Sequence, residues 1–203
     1  MKKYAVLHEP GDIVTLAGTR FVVLDVERRG SLPDSLFLLA LESVGASEFG
    51  SSNNYAESDL KKAVDKWLED MGKRGLDNAK LIPREIDLTT LDGSGCYGKL
   101  SVKAAPLTLD EAREYADIIP NAERWCWLAT GWSGPSKSDG DLALYVNSNG
   151  DWSNDYCSNS GGIRPALKIP SDLLLDSADK PDLSEVPTDT LLEEIRRRVV
   201  DKA

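Results

Sequence analysis

The chain has few of the residue types that build metal centres and disulfide frameworks. Its 203 residues include three cysteines and one histidine. Cys96, Cys126 and Cys157 have no C-x-x-C spacing and no adjacent histidine, so they match neither a zinc site nor a thioredoxin-like motif. Their odd number argues against a closed set of disulfides. We therefore predict neither a metal site nor a cofactor.

The sequence also offers little for catalysis, which needs a nucleophile, a base and an orienting group close together. His8 is the single histidine and lies near the N-terminus, where we expect an ordinary exposed residue. Cys126 stands between two tryptophans and is expected to be a small buried hydrophobic residue. Cys157 lies in a polar segment and is the cysteine whose reactivity merits a test. We predict that the protein is not an enzyme.

Long apolar runs and an excess of positive charge are missing as well. The formal net charge is -10, which argues against nucleic acid or an anionic membrane as a partner. No run approaches the roughly 20 apolar residues of a membrane helix, and the N-terminal apolar run is too short for a signal peptide. We expect a protein made in the cytoplasm that does not insert into membranes, and its association with a virus particle stays open.

What the chain does contain is enough apolar sequence for one folded domain, at 41% hydrophobic residues. We predict a domain over residues 1–169, a Pro-, Asp- and Ser-rich linker over 170–187, and an amphipathic helix over 188–203. A helix this short is marginal alone. We expect it to pack on the domain, on a copy of itself in a homo-oligomer, or on another protein of a virion.

Local patterns predict a mixture of strands and helices in the domain. β-branched and aromatic residues indicate a β meander with strands at 13–16, 20–27 and 36–41. A helix that starts at the N-cap Ser58 and stops at Gly72 follows. Its apolar residues form one buried stripe and give Trp67 a structural role: Leu60, Val64, Trp67, Leu68 and Met71. A second helix is predicted at 109–116.

A helix cap and a strand pattern follow along the chain. The second helix is announced by the capping box Thr108-x-x-Glu111. Residues 124–130 alternate, so Trp125 and Trp127 are expected on one face of a strand and Cys126 on the other.

The segment 141–160 combines a hairpin signal with a polar, aromatic composition. It opens with a strand at 142–147, turns at Asn149-Gly150, and then mixes Asn, Ser and Asp with aromatic residues. This mixture is typical of adaptable binding loops, although ordinary turns use the same polar residues. Trp132 and Trp152 lie among small polar residues, which suits anchors of an interface. Rings folded back onto the core are the other interpretation.

Three segments carry a resemblance to a known family: Trp127-Leu-Ala-Thr130, Ala143-Leu-Tyr-Val-Asn-Ser-Asn-Gly150 and Gly162-Ile-Arg-Pro-Ala-Leu167. The chain resembles a bacterial and prophage family of C-type-lectin-like domains that ends in G-[VIF]-R-P-A-L. The resemblance covers about residues 10–170. It implies an α+β, C-type-lectin-like fold, with small antiparallel sheets, two helices and long irregular loops, to which the chain adds a C-terminal helical tail.

Within that fold the chain is similar to the variable proteins of diversity-generating retroelements, in which a reverse transcriptase rewrites adenines in a C-terminal cassette. The resemblance implies diversification over about residues 124–166, with residues 163–167 holding the scaffold. The apolar pattern around Trp127 indicates a structural role, and Arg164 is expected to brace the loops by pairing with a buried carboxylate or carbonyl. It also implies a protein or glycan ligand on a cell surface, bound without catalysis by the loops of residues 132–160. The implied contacts join Trp132 and Trp152: Tyr145, Asn147, Asn149, Asp151, Asn154, Asp155, Tyr156 and Asn159.

The sequence departs from other members of this broad fold. Calcium-dependent lectins carry a Glu-Pro-Asn or Gln-Pro-Asp loop, which is missing, and a Trp-Asn-Asp motif, for which the chain has only Trp152-Ser-Asn-Asp155. Formylglycine-generating oxidases need a copper-binding cysteine pair, for which the cysteine spacing gives no local support. A modifying enzyme of that kind and a purely structural virion protein stay as the alternatives to a binding protein.

Overall fold

The computed structural model describes residues 2–4, 8–29, 32–135, 137 and 139–177 of the chain. Its fold is α+β, as predicted. The helices are α1 (Asp59–Lys73) and α2 (Leu109–Glu114), with a 3-10 turn at Tyr55–Glu57. The strands are β1 (Lys2–Tyr4), β2 (Ile13–Leu16), β3 (Thr19–Arg29), β4 (Leu32–Ala40), β5 (Ala46–Glu48), β6 (Arg84–Asp87), β7 (Lys99–Val102), β8 (Ala104–Ala105), β9 (Cys126–Gly131), β10 (Leu142–Val146), β11 (Trp152–Tyr156), β12 (Ser160–Gly162), β13 (Ala166–Pro170) and β14 (Leu174–Ser177).

The larger sheet grows from the predicted β meander. Its order within the described residues is β1-β14-β2-β3-β4-β13-β8. A two-residue turn joins β2 to β3, with φ of 47° at Ala17 and 77° at Gly18. Positive φ at both turn residues matches the right-handed twist of the flanking strands. The meander is therefore confirmed as a run of antiparallel neighbours.

A second sheet carries the polar hairpin. Its order is β11-β10-β9-β12-β5, and β11 is an edge strand. The short strand β12 runs parallel to β9 and antiparallel to β5. A separate pair of strands, β6 and β7, completes the described β structure.

Helix α1 begins as predicted and ends later than predicted. Ser58 accepts a hydrogen bond from the Lys61 N–H at 2.9 Å. The helix continues through Gly72 to Lys73, and the positive φ of 101° falls on Gly75. Gly72 has another use, because a Cβ there would lie 3.1 Å from Nδ2 of Asn78. That amide donates to a carbonyl of the last helical turns, so the glycine admits a cap from outside the helix.

Helix α2 has the predicted capping box and is fixed to the second sheet. Thr108 and Glu111 exchange hydrogen bonds between side chain and backbone. The Leu109 N–H donates to Oγ1 of Thr130 at 2.9 Å, and the Ala129 N–H donates to the Leu107 carbonyl at 2.8 Å. Strand β9 therefore sets the position of this helix.

The sheets separate two hydrophobic cores. The first core lies against α1 and includes Phe21, Leu38 and Trp127, and the partly buried Trp67 packs on it. The second core lies against α2 and includes Leu39 and Leu128. Because side chains alternate along a strand, neighbouring residues of β4 and of β9 supply opposite cores.

The predicted alternation of Trp125 and Trp127 is confirmed by ring packing. Their centroids lie 4.9 Å apart, edge to face. A Cβ added at Gly161 would overlap the Trp125 ring and would lie 2.6 Å from the Trp127 indole nitrogen. Gly161 is therefore required because the two tryptophan rings occupy the space that a side chain would need.

The larger sheet continues past residue 169, where the linker was predicted to begin. Strand β14 pairs with β1 and β2. The apolar run Leu173-Leu174-Leu175 within the predicted linker is the sequence feature that accompanies this strand. The rest of the predicted linker and the helix at 188–203 lie outside the described residues.

Substitution of Gly161 by alanine is expected to lower the free energy of unfolding by about 1–3 kcal/mol, because the new methyl group overlaps both rings. Urea titration followed by far-UV circular dichroism measures the change. Gly95→Ala is the matched control, since a Cβ there meets no atom within 4 Å. Equal stability of the two variants would contradict the packing described for Trp125 and Trp127.

Candidate functional site

The hairpin of β10 and β11 presents the residues predicted to bind ligand. The Asn147 N–H donates to the Asp151 carbonyl at 2.7 Å and closes the turn. Hydrogen-bonded and non-hydrogen-bonded pairs alternate along an antiparallel ladder. With the observed register, Trp152, Asn154 and Tyr156 are therefore non-hydrogen-bonded positions. Their backbone N–H and C=O groups point away from β10, toward the open edge of the sheet.

Part of this open edge is closed by the chain itself. Asp155 Oδ1 accepts from the Tyr156 N–H at 2.8 Å and from the Asn159 side chain at 2.8 Å. The Asn159 N–H donates to the Tyr156 carbonyl at 2.9 Å. The outward backbone groups of Trp152 and Asn154 stay open within the described structure. Asp155 and Asn159 thus shape the edge, which blunts pairing with another strand.

One face of the hairpin is rich in exposed aromatic surface. Asn154 pairs with Leu144, a residue of the second core. Trp152 and Tyr156 lie two residues before and two residues after Asn154 on the strand, so all three side chains project on the α2 side of the sheet. Trp152 is 42% exposed and Tyr156 is 58% exposed.

Three further residues complete a surface that we call the aromatic face. Trp132 is partly buried and packs on the second core. Leu91 is 39% exposed and lines a shallow depression together with Arg113. Arg113 lies with its guanidinium carbon 5.2 Å from the Trp152 ring centroid, a cation–π contact. The members of the aromatic face are Leu91, Arg113, Trp132, Trp152, Asn154 and Tyr156.

The aromatic face collects every exposed large hydrophobic side chain of the described residues: Leu91, Trp152 and Tyr156. Sequence reasoning missed Leu91 and Arg113. Both come from segments distant in sequence from the hairpin, and no local pattern marks them.

The turn residues are exposed but already bonded to one another. The Asn149 side chain donates to the Asp151 carboxylate at 2.6 Å and accepts from the Asp151 N–H at 3.1 Å. Asn147 Oδ1 accepts from the Ser148 N–H at 2.9 Å. Gly150 has a φ of 90°, as the Asn-Gly signal predicts. These hydrogen bonds hold the turn in one conformation, and the remaining donor and acceptor positions of the exposed side chains face solvent.

Tyr145 differs from the other predicted contacts because its ring packs inside the domain. It lies 4.9 Å from the Trp125 ring and 6.4 Å from the Trp127 ring. Its strand position places it on the opposite side of the sheet from the aromatic face. The structure therefore separates Tyr145 from Trp152 and Tyr156.

Asn53 is a fully buried residue that holds the base of the hairpin. Its Nδ2 donates to the Ser133 carbonyl at 2.8 Å and to the Leu142 carbonyl at 3.0 Å. Its Oδ1 accepts from the Tyr97 hydroxyl at 2.6 Å. The Asn53 N–H donates to the Gly140 carbonyl at 3.1 Å. No local sequence pattern marks this residue, because its partners lie far away in sequence.

Two expectations about reactive residues are wrong. Cys157 is 2% exposed, and burial raises the pKa of its thiol to about 12. Its side chain points into the first core, whereas Cys96 is exposed. His8 is only 4% exposed, and its Nδ1 lies 3.3 Å from an Asp12 carboxylate oxygen. In neither case does the local polarity of the sequence reveal how the residue packs.

Cys126 and Arg164 match their expectations. Cys126 is buried, which raises the pKa of its thiol. Arg164 is 7% exposed, and its Nε donates to the Ala40 carbonyl at 2.7 Å. This bond links the segment before β13 to the end of β4. In the part of the chain that the structure describes, no three His, Cys, Asp or Glu side chains form a group suited to a metal ion.

Comparisons with protein-family models, with curated proteins and with solved structures find no match to this chain. Among the described residues, no helix has the length and apolar character needed to cross a membrane.

Replacement of Asn53 by alanine is expected to lower the free energy of unfolding by about 2–4 kcal/mol, because buried carbonyl and hydroxyl groups lose their partner. Chemical denaturation measures this change. Asn121→Ala is the control, since Asn121 is exposed and its loss should change stability by less than about 0.5 kcal/mol. A neutral Asn53→Ala variant would show that the hairpin base does not depend on this amide.

Proposed function

We propose that this protein is a non-catalytic recognition protein with a C-type-lectin-like fold, which binds a protein or glycan ligand on a cell surface through its aromatic face. The observation that carries the proposal is that Trp152 and Tyr156, two of the three exposed large hydrophobic side chains of the described residues, project on one side of one hairpin. Exposed apolar groups concentrated at one place mark an interaction surface.

The chemistry of the aromatic face suits recognition. Trp152 and Tyr156 each offer a flat apolar ring with a polar group at its edge. Asn154 lies between them on the strand and supplies both a donor and an acceptor. Tryptophan, tyrosine and arginine are the residues enriched among energetic hot spots. The ligand would bind by shape and hydrogen-bond complementarity around the two rings.

The rigidity of the scaffold supports the same proposal. Arg113 holds the Trp152 ring from one side, and Asp155 closes the edge beside Tyr156. Rings that are already restrained lose less conformational entropy when a ligand binds. Tyr145, which packs on the core tryptophans, is assigned a supporting role in this proposal.

A catalytic function has less support from the described residues. His8 is beside Asp12 at the start of β2, in the larger sheet, whereas the aromatic face belongs to the second sheet. Cys157 and Cys126 are buried with raised thiol pKa values. Neither supplies the accessible thiolate that nucleophilic chemistry requires.

The resemblance in the G-I-R-P-A-L segment extends the proposal to a variable protein of a bacterium or prophage, diversified by a retroelement. The residues proposed for diversification lie on the hairpin and its turn, while Gly161 and Arg164 serve packing. Virion attachment through the C-terminal segment belongs to the same proposal and would add avidity to weak individual contacts.

Removal of either exposed ring is expected to weaken ligand binding by about thirtyfold or more, the effect of a hot-spot side chain. The measurement uses the fluorescently labelled chain on a glycan array and on a panel of intact bacterial cells. Trp152→Ala and Tyr156→Ala should lose the signal. Ser153→Ala is the matched control, because it lies on the same strand but on the opposite face.

Unchanged attachment of both ring variants would overturn the aromatic face as the binding surface and favour a structural virion protein. Copper uptake by the chain, with an activity lost on Cys157→Ser, would instead favour the modifying enzyme.

The proposal of diversification predicts a reverse-transcriptase gene beside this gene. Sequencing of the neighbouring DNA should also show a near-copy of codons 124–166 that differs mainly at adenines. The mismatched codons should fall on solvent-accessible hairpin positions such as the exposed Asn149 and the half-buried Asn154, and spare Gly161 and Arg164. Neighbouring DNA without a copy would remove diversification and leave binding to a fixed ligand.

A further inference from the structure

An apolar pocket lies beside the aromatic face and has an arginine among its lining residues. It sits where β4 of the larger sheet meets β9 of the second sheet, between α2 and the hairpin turn. Its volume is about 100 Å³. Trp152 belongs both to this pocket and to the aromatic face.

The lining divides into a buried floor and an exposed rim. The floor includes Leu39, Leu107, Ala112 and Arg164, all of them buried. Exposed residues form the rim, where the pocket opens to solvent: Ala116, Asn121, Asn147, Gly150 and Trp152. The floor is thus apolar except for one cationic side chain, and a solute can reach it from the rim.

Arg164 has unused capacity for an anion. It is the only charged residue among the described residues that line the pocket. Its Nε is bonded to the Ala40 carbonyl, but its Nη2 has no hydrogen-bond partner among the described residues. Burial lowers the pKa of the guanidinium, and the charge of Glu42 acts on it in the opposite sense without a direct hydrogen bond to Nη2. A buried charge that has no directly bonded counter-charge is unfavourable.

We propose that this pocket binds a small monocarboxylate with a short branched aliphatic chain. The aliphatic group would fill the apolar floor, and the carboxylate would accept hydrogen bonds from Arg164. The pocket volume of about 100 Å³ lies below the roughly 150 Å³ of an engineered apolar cavity that holds benzene. The floor therefore admits no more than a short branched group of about four carbons, part of which would lie in the open rim. The Arg113 guanidinium over Trp152 at the rim adds a second positive charge near the entrance.

This inference does not depend on the proposed recognition function. Its carrying residues, Arg164 and the apolar floor, lie outside the aromatic face. If the chain binds neither cells nor glycans, that result does not count against binding in the pocket. If the pocket binds no carboxylate, that result does not count against the aromatic face.

The test is a titration of the isotope-labelled full chain with 3-methylbutanoate, followed by nuclear magnetic resonance. The backbone signals of Asn147 and Gly150 and the indole signal of Trp152 should shift with a dissociation constant in about the millimolar range. 3-Methylbutanamide has the same shape without the charge and should bind about tenfold more weakly or worse. Acetate keeps the charge without the branched chain and should also bind more weakly.

A variant distinguishes the pocket from other anion sites. Ala116→Trp places a large ring at the exposed rim and should abolish the shifts. Asp117→Trp is the matched control, because it places the same ring on the neighbouring exposed residue, which does not line the pocket. The proposal is overturned if none of the signals shifts, if the amide binds as tightly as the carboxylate, or if both tryptophan variants bind normally.

Discussion

The geometry of the hairpin depends on one buried amide, that of Asn53. This residue binds carbonyl groups at both ends of the connection between β9 and β10 and also the hydroxyl of Tyr97. Gly131 allows the amide to approach, because a Cβ there would lie 2.9 Å from the Asn53 side chain. Polar groups buried this deeply must be satisfied. Asn53 therefore fixes the two described ends of this connection relative to each other.

The exposed rings follow from the position of β11 in its sheet. Strands β9 and β10 have neighbours on both sides and bury their alternate residues in the two cores. Strand β11 is at the edge of the sheet, so its aromatic residues have fewer neighbours to pack against than those of β9 and β10. Arg113 is the one described cation in contact with Trp152. Trp152 and Tyr156 therefore keep much of their ring surface exposed, which is the feature that the proposed binding surface uses.

Sequence patterns predicted the parts of the fold that depend on neighbours in the chain. The capping box at Thr108, the positive φ at Gly150 and the alternation of Trp125 and Trp127 are local signals, and the structure has all three. The failures involve distant partners. Gly72 accommodates Asn78, and Cys157 packs into a core built mainly from other segments. The chemical type of a residue can be read from the sequence, whereas its burial depends on the residues that the fold places around it.

The hairpin assigns neighbouring polar residues to different tasks. Asp155 and Asn159 use their hydrogen bonds on the backbone and on each other, so their substitution should disturb the edge before it disturbs a ligand. Asn154 has its side chain on the aromatic face and its outward backbone open. A ligand that approaches β11 thus meets two rings and one amide, with too little free backbone for an added strand. In the proposed function, selectivity would therefore come from the side chains, which can be exchanged while the backbone ladder of the strand is kept.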